Sequence, residues 1–426
     1  MKLKIENLAK IKQATFEFNG LTAIAGNNNT GKTTVGKTLF SIFSSLNNID
    51  TKIQEERNKL TEQTVENELL EFLFGQSDKD DVQFSRLRIN LFHEIVSNHL
   101  LKSSNKEFTK QDLEDLLSKF GIEDSEGKAI KLYHSLKEKM VEIAKVDDIS
   151  YKKELLTRNF GKVFSNQINS LMVADQRASI DLYLKAKQMK LTFKDNQCIQ
   201  VVQPLEIQKK AVYIDNPSII DRVQGNLFYH RMLDFSPMEE SLAYGLMKKP
   251  TTVLKSLIIQ KKLEAVLRIL IPVLPGEIIT QNRELYIRDA SLGDLLKISN
   301  LSTGLKSFAI LKLLLENGAL EDKDILILDE PEVHLHPEWQ IIYAEVIVLL
   351  QKYFDLTVLL TTHSPYFLQA IETYSAKYEV ADRCKYYLAE NEGDFAAFED
   401  VTGCTEKVYQ QMLKPFEDLQ SVTYGE

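Results

Sequence analysis

A glycine-rich segment near the start of the chain constrains the fold more than any other feature. It runs from Gly26 to Thr33, reads Gly-Asn-Asn-Asn-Thr-Gly-Lys-Thr, and matches the pattern G-x-x-x-x-G-K-[ST]. Residues 21–25 before it form a short apolar run that is typical of a buried strand. The residues from Thr34 to about Leu46 show helical spacing of apolar side chains. The sequence therefore predicts a strand, a phosphate-binding loop and a helix, in that order.

Each residue type in this loop suits the binding of a triphosphate. Glycine allows dihedrals that let successive backbone N–H groups converge on phosphate oxygens, and asparagine tolerates the left-handed region. Lys32 is expected to reach the β- and γ-phosphates, and the Thr33 hydroxyl is expected to bind Mg²⁺. Taken alone, the segment also fits an ordinary turn before a helix. The predicted cofactor-binding residues are Gly26, Asn27, Asn28, Asn29, Thr30, Gly31, Lys32, Thr33 and Thr34.

A second apolar run, residues 325–328, ends in Asp329 and Glu330. It is typical of a buried parallel strand, and such strands present ligand-binding groups at their carboxyl ends. Asp329 is the predicted Mg²⁺ residue, and Glu330 is the predicted general base for an attacking water. Asp-Glu-Pro is also an ordinary way to leave a strand, but the phosphate loop upstream favours the catalytic interpretation.

Two further segments complete the pattern. Residues 301–307 read Leu-Ser-Thr-Gly-Leu-Lys-Ser before an apolar helix, for which Ser302 is a suitable N-cap while Gly304 keeps the first turn free of bulk. Residues 358–362 form another apolar strand, which leads into His363. A histidine there could hydrogen-bond to a γ-phosphate and report its presence, although an isolated histidine is more often an ordinary surface or core group.

Together these segments resemble the head of an ABC-type ATPase. More narrowly, residues 329–340 and 362–365 are similar to the OLD-like (overcoming lysogenisation defect) branch, which is related to SMC-type repair ATPases, and residues 1–11 resemble that branch's first β-hairpin. The resemblance covers residues 1 to about 50 and 295 to about 370. It implies an α/β fold in which a mixed β-sheet with flanking helices carries a P-loop, and it implies ATP and Mg²⁺ as cofactors.

The resemblance also implies a mechanism that needs two protomers. In such heads the signature serine and glycine of one subunit contact the γ-phosphate held by the P-loop of the other. Ser302 and Gly304 are therefore expected to act in trans. A glutamine at the start of the inserted lobe senses Mg²⁺ in these heads, and Gln167 is the residue expected to do so here. The predicted catalytic residues are Glu330, His363, Ser302 and Gly304, and the predicted metal residues are Thr33, Asp329 and Gln167.

The positions of the motifs predict the domain organisation. Residues 1–46 are expected to form the first part of the head, 47–203 a largely α-helical insertion lobe, and 204–426 the second part of the head. Sustained heptads are absent from the insertion, so a long coiled-coil arm of the SMC kind is not expected. About sixty residues follow His363, fewer than the roughly 100 of a typical domain, so a Toprim nuclease domain of the OLD type is not expected.

Composition and charge indicate the cellular location of the protein and the classes of partner it can bind. The formal net charge is −9, from 52 basic and 61 acidic residues, so no global field attracts nucleic acid or anionic lipid. Cys198, Cys384 and Cys404 have neither metal nor disulfide spacing and fit a reducing cytosol. No apolar run reaches the length of a membrane span, and residues 1–5 lead into an alternating strand rather than a signal peptide. We therefore expect a cytoplasmic protein without a membrane partner.

The implied activity is slow ATP hydrolysis whose nucleotide state controls a partner. Stand-alone ATPases of this branch resemble the ATPase subunits of the bacterial antiphage systems Septu and PARIS, in which a separately encoded effector is held or released. This analogy implies a homodimer or higher homo-oligomer, an effector such as a nuclease, and a phage protein or DNA as the trigger. Two alternatives stay open: a DNA-repair or recombination ATPase that binds DNA directly, and a scaffold in which ATP is structural.

Overall fold

Two compact units make up the part of the chain that the structure, a computed structural model, describes. The described residues are 1–74, 109–119, 128–173, 177–224, 234–248, 253–289, 291 and 293–424. One unit, called the head below, comprises Met1–Asn47 and Lys153–Glu426, and the other comprises Asn48–Lys152. The head contains every motif described above.

The centre of the head is a large mixed sheet. The described strands are β1 (Lys2–Leu8), β2 (Ile11–Glu17), β3 (Leu21–Gly26), β4 (Ala178–Leu184), β5 (Lys187–Lys194), β6 (Gln197–Val202), β7 (Ala211–Ile214), β8 (Glu277–Gln281), β9 (Glu284–Arg288), β10 (Leu296–Lys297), β11 (Ile325–Asp329), β12 (Thr357–Thr362), β13 (Cys384–Glu392) and β14 (Phe395–Asp400). Eleven of these strands form one sheet in the order β6-β5-β4-β1-β2-β14-β13-β3-β12-β11-β7, and the other three form a sheet in the order β10-β9-β8.

The parallel part of the large sheet brings the motifs together. Strands β13, β3, β12, β11 and β7 are parallel neighbours. Their side chains are nearly all buried, as expected where helices cover both faces of a parallel sheet. The register pairs Asp329 with Thr361 and Ala25 with Thr362. The strands that lead into the phosphate loop, the Asp329 segment and His363 therefore end at one edge of the sheet.

Helices of the head flank this sheet and supply most of its buried apolar cluster. The described α-helices are α1 (Lys32–Leu46), α2 (Ile49–Phe74), α3 (Lys110–Lys119), α4 (Lys128–Lys145), α5 (Asp148–Val163), α6 (Ile219–Arg222), α7 (Pro237–Met247), α8 (Val253–Leu270), α9 (Thr303–Glu316), α10 (Pro337–Phe354), α11 (Pro365–Lys377) and α12 (Glu406–Tyr424). One buried apolar cluster contains side chains from the helices α7 through α11 and from the parallel strands. The predicted α/β class, a mixed sheet with flanking helices around a P-loop, is confirmed. Within the described residues, no helix combines the length and apolar character needed to cross a membrane.

The helical insertion is shorter than predicted. The unit Asn48–Lys152 has a small apolar core in which Val65 of α2, Leu113 of α3 and Leu136 of α4 are all fully buried. Residues 178–202, predicted to belong to this lobe, instead form β4, β5 and β6, and β4 pairs antiparallel with β1. The predicted boundary at residue 203 is therefore wrong, because these residues pair with the strands of the head and form part of its sheet.

The residues after His363 also belong to the head. β13 lies parallel to β3, and β13 and β14 form an antiparallel hairpin that continues the sheet. α12 follows, with Val408 fully buried in the main core. Glu390, Asp394 and Asp400 lie in or beside this hairpin. Among the described residues no group of three or more His, Cys, Asp or Glu side chains is placed to hold a metal ion.

Gly26 has almost no room to accept a side chain. Its φ is +151°, and a Cβ there would lie 2.1 Å from the carbonyl oxygen of Ala389 in β13. Gly26→Ala is expected to lower the free energy of unfolding by about 3 kcal/mol or more, because one of the two strands must move. Denaturant unfolding measures this loss. Gly393→Ala is the matched control, since Gly393 has φ +60° but open space around it, and it should cost only about 1–2 kcal/mol. Equal losses in the two variants would contradict the role of the close approach.

Candidate nucleotide-binding site

The phosphate loop connects the end of β3 to the start of α1. Asn29 and Gly31 adopt left-handed conformations, with φ of 61° and 76°, and the Thr30 hydroxyl donates to the carbonyl of Asn27 at 2.8 Å. Gly31 precedes α1 without a side chain that could cap the helix. The N–H groups at the start of α1 are therefore free of a side-chain acceptor and suit an anion.

Lys32 lies across the loop rather than in solvent. Its Nζ donates to the carbonyl oxygens of Gly26 at 3.0 Å and Asn27 at 2.8 Å. Burial lowers the pKa of the Lys32 ammonium to about 8, and the negative charges of Glu330 and Asp329 oppose that shift only in part. An ammonium that is costly to bury gains most when a phosphate arrives beside it, so the loop is electrostatically prepared for a polyanion.

Asp329 is held by three hydroxyl groups from three different elements. Its Oδ1 accepts from Thr33 at 3.2 Å and from Thr361 at 2.6 Å, and its Oδ2 accepts from the Tyr213 hydroxyl at 2.8 Å. Burial raises the pKa of the Tyr213 hydroxyl well above its ordinary value, so it stays a donor. Hydroxyl and carboxylate oxygens are the ligands that Mg²⁺ prefers. Thr33 and Asp329 therefore fit the predicted metal site.

Tyr213 and Thr361 were not predicted from the sequence. The parallel pairing of β11 with β7 and with β12 brings them beside Asp329. No motif marks either residue, because each lies within an apolar run that reads as a strand and nothing more. Recognising them would have required the strand order, which the sequence alone does not state.

Glu330 and His363 are in direct contact. Nε2 of His363 lies 2.7 Å from Oε1 of Glu330. Glu330 has φ +51°, an uncommon conformation for a residue with a side chain, and its N–H donates to the Thr361 hydroxyl at 3.0 Å. Both side chains are partly exposed, so they remain accessible to a ligand. The structure thus brings together the predicted base and the predicted γ-phosphate sensor.

An open cavity of about 440 Å³ lies over the phosphate loop. Its lining includes residues 29–34, Lys37 of α1 and Glu330, and it also includes Phe164 and Gln167 from the segment after α5. Gln167 is therefore on the same cavity as Thr33, where a metal sensor would have to be. That role stays a prediction, and the cavity adds Lys37 and Phe164, which sequence reasoning missed.

Ser302 and Gly304 lie at a separate cavity. Ser302 is the N-cap of α9 and accepts from the N–H of Leu305 at 3.4 Å, which confirms the predicted cap. Ser302 and Gly304 line a cavity of about 480 Å³ together with His334, His336 and Trp339. None of these residues lines the cavity over the phosphate loop. Within one chain, the phosphate loop and the turn with Ser302 and Gly304 therefore line two separate cavities.

The fold and the site define a P-loop nucleotide-binding protein. Residues 1–368 match the family model described as AAA ATPase domain. Because the match covers most of the sequence, the chain belongs to this family.

Three solved SMC heads are distantly similar to the chain. The SmcHead bound to the C-winged helix domain of ScpA is 11% identical, with 94% of this chain and 96% of that chain covered and a TM-score of 0.43. The SMC head domain from Thermotoga maritima is 10% identical, with 94% and 98% covered and a TM-score of 0.38. The Smc head domain from Pyrococcus furiosus, with an extended coiled coil and bound to the C-terminal domain of ScpA, is 11% identical, with 98% of each chain covered and a TM-score of 0.41.

The lowered pKa of Lys32 predicts how nucleotide binding depends on pH. Above about pH 8 the free protein loses the Lys32 proton, whereas a bound triphosphate holds it, so the complex binds more protons than the free protein. ATP affinity should therefore fall by up to about tenfold per pH unit above pH 8, with proton uptake on binding. Titration calorimetry in buffers of different ionisation enthalpy measures both quantities. Lys32→Arg is the control, because arginine keeps its proton and should remove the slope. Wild-type affinity that stays constant up to about pH 9.5 would contradict this prediction.

Proposed function

We propose that the protein is an ABC-type ATPase that binds and hydrolyses ATP and uses the nucleotide to pair two copies of itself. The observation that carries this proposal is the grouping of Lys32, Thr33, Asp329, Glu330 and His363 at one edge of the sheet. These residues come from segments almost three hundred positions apart and supply a cation, two metal-binding oxygens, a base and a histidine. This is the set that phosphoryl transfer to water requires.

Each of these residues has its own role in the proposed hydrolysis of ATP. The N–H groups of the loop and the Lys32 ammonium bind the β- and γ-phosphates, and Thr33 and Asp329 would hold Mg²⁺, which neutralises phosphate charge when bound. Glu330 takes a proton from water as the water oxygen bonds to the γ-phosphorus and the bond to the β-phosphate oxygen breaks. His363, in contact with Glu330, orients that carboxylate and can donate to the γ-phosphate.

The second half of the site comes from another protomer in this proposal. Ser302 and the N-terminus of α9 present a hydroxyl group and a positive helix end, both suited to a γ-phosphate. They line a cavity that shares no residue with the phosphate-loop cavity of the same chain. A nucleotide bound between two copies would contact the phosphate loop of one copy and the turn with Ser302 and Gly304, here called the signature turn, of the other. ATP would then hold a homodimer, or pairs within a higher homo-oligomer.

The finer proposal concerns what the dimer controls. We propose that it is the sensor and ATPase component of an antiphage system, in which a separately encoded effector such as a nuclease is held or released. The similarity of residues 329–340 to the OLD-like branch supports this proposal, and a net charge of −9 favours a protein partner over DNA alone. Co-purification with the product of the adjacent gene tests it. Strong DNA stimulation of the isolated protein would instead favour a repair ATPase.

Glu330→Gln tests whether Glu330 is the base. The amide cannot accept the proton from water, so phosphate release should fall about 100-fold or more while ATP binding persists. Single-turnover phosphate release and calorimetric ATP binding are the measurements. Unchanged phosphate release would refute the role of Glu330. Normal cellular function in a variant that no longer hydrolyses ATP would favour the structural-scaffold alternative.

Ser302→Arg tests the contribution of the partner copy. The bulky charge should leave ATP binding to the phosphate loop intact, but it should abolish turnover and ATP-dependent dimerisation, because it fills the signature half-site. Light scattering with and without ATP measures the dimer. Ser291→Arg makes the same change at an exposed serine outside both cavities and should behave like the wild type. Preserved turnover in a monomeric Ser302→Arg protein would refute the trans site.

A further inference from the structure

Glu332 is a buried carboxyl group that the hydrolysis step described above does not use. Only 4% of the residue is exposed. Its Oε1 accepts from the Thr362 hydroxyl at 2.5 Å and from the backbone N–H of His363 at 2.7 Å. Its Oε2 is fully buried and has no hydrogen-bond partner among the described residues. A buried oxygen without a hydrogen-bond partner costs about 1–3 kcal/mol of folding free energy. The two bonds at Oε1 must offset this cost.

Those two bonds hold the backbone that carries the His363 side chain. His363 follows the last residue of β12, and its backbone N–H is fixed by Glu332. Nε2 of the same histidine contacts Oε1 of Glu330 at 2.7 Å. A shift of the backbone at residue 363 would therefore move the imidazole away from Glu330. Misplacement of a catalytic group by about 1 Å can cost on the order of 100-fold in rate.

Neighbouring bonds stabilise the same junction between the turn after Glu330 and the end of β12. The Thr362 hydroxyl that donates to Glu332 also accepts from the N–H of Ser364 at 3.0 Å. The Ser364 hydroxyl donates to the side-chain oxygen of Gln340 at 2.7 Å. The side-chain N–H of Gln340 donates to the carbonyl oxygen of Leu335 at 3.1 Å. The junction is thus a connected network, and Glu332 and Thr362 are its buried side chains.

Burial also changes the acidity of this carboxyl. It raises the pKa of Glu332, and the negative charge of Glu330 acts in the same direction, against the hydrogen bonds from Thr362 and His363. Oε1 can accept hydrogen bonds whether or not the carboxyl carries a proton, so its bond to the His363 backbone does not depend on the charge of Glu332. A glutamine has the same shape and the same acceptor, which makes it the conservative substitution at this position.

We propose that Glu332 is a positioning residue for ATP hydrolysis, which holds the backbone of His363 so that its imidazole stays against Glu330. Glu332 is not among the residues that line the cavity over the phosphate loop, so it acts through His363 and not on the nucleotide. The inference rests on the proposed ATPase function, which supplies the reaction that Glu332 would support.

Glu332→Ala and Glu332→Gln provide the first test. The alanine variant loses both bonds at Oε1 and should lower kcat about 10- to 100-fold, with the KM for ATP changed less than about threefold. The glutamine variant keeps the acceptor and should restore most of kcat. Glu338→Ala removes an exposed carboxylate six residues away and should match the wild type. A glutamine variant as slow as the alanine variant would overturn the proposal.

A double-mutant cycle with His363→Ala separates positioning from general destabilisation. If Glu332 acts through His363, the double variant should be no slower than His363→Ala alone, whereas additive losses would contradict the proposal. A crystal structure of Glu332→Ala gives a readout independent of turnover, and an unchanged contact between His363 and Glu330 would overturn the inference. Wild-type protein that binds but does not hydrolyse ATP would refute the proposed function. Wild-type turnover that is equalled by Glu332→Ala would refute this inference alone.

Discussion

The contact between the Thr33 hydroxyl and the Asp329 carboxylate is the interaction on which the rest of the site depends. It joins residues 296 positions apart, and it forms because β3 and β11 both pair with β12 in parallel. Parallel strands deliver their carboxyl ends to one edge, so the phosphate loop and the acidic segment meet without any long loop to position them.

Three features of the site are unfavourable for the stability of the folded protein. Lys32 is an ammonium group with a lowered pKa, and Glu330 has φ +51°. Glu332 has a buried oxygen without a partner among the described residues. Each of these features destabilises the folded protein, and each lies within a few residues of the proposed chemistry. Such strain is common where a surrounding structure holds groups ready for a ligand, and here the buried parallel sheet is the structure that holds them.

Sequence reasoning located the segments that have a local signal beside a strand or a helix. These segments are the loop from Gly26 to Thr33, the acidic pair Asp329 and Glu330, and the N-cap Ser302. The structure places the loop before α1, the acidic pair at the end of β11 and Ser302 at the start of α9, while their chemical roles stay predictions. The parallel strands before the phosphate loop and the acidic pair were also predictable, because each is a short apolar run bounded by polar residues.

The remaining features depend on tertiary pairing that no local pattern reveals. Strand β4 joins the sheet through β1, more than 170 residues earlier in the chain, and β5 joins it by pairing with β4. Tyr213 meets Asp329 only because β7 is the neighbour of β11. Glu332 reads as one more carboxylate in an acidic, histidine-containing turn. The burial that singles out Glu332 from other carboxylates appears only in the folded chain.

The central claim is that one nucleotide is shared by the phosphate loop of one copy and the signature turn of another, and mixing two inactive variants tests it most directly. Lys32→Ala disables the loop and Ser302→Arg disables the turn, so each protein alone should lack ATPase activity. A dimer with one subunit of each kind retains one site built from two undamaged halves. We expect turnover to reappear when the two proteins are mixed and allowed to exchange subunits. A mixture that forms such dimers and stays as inactive as its components would contradict the shared site.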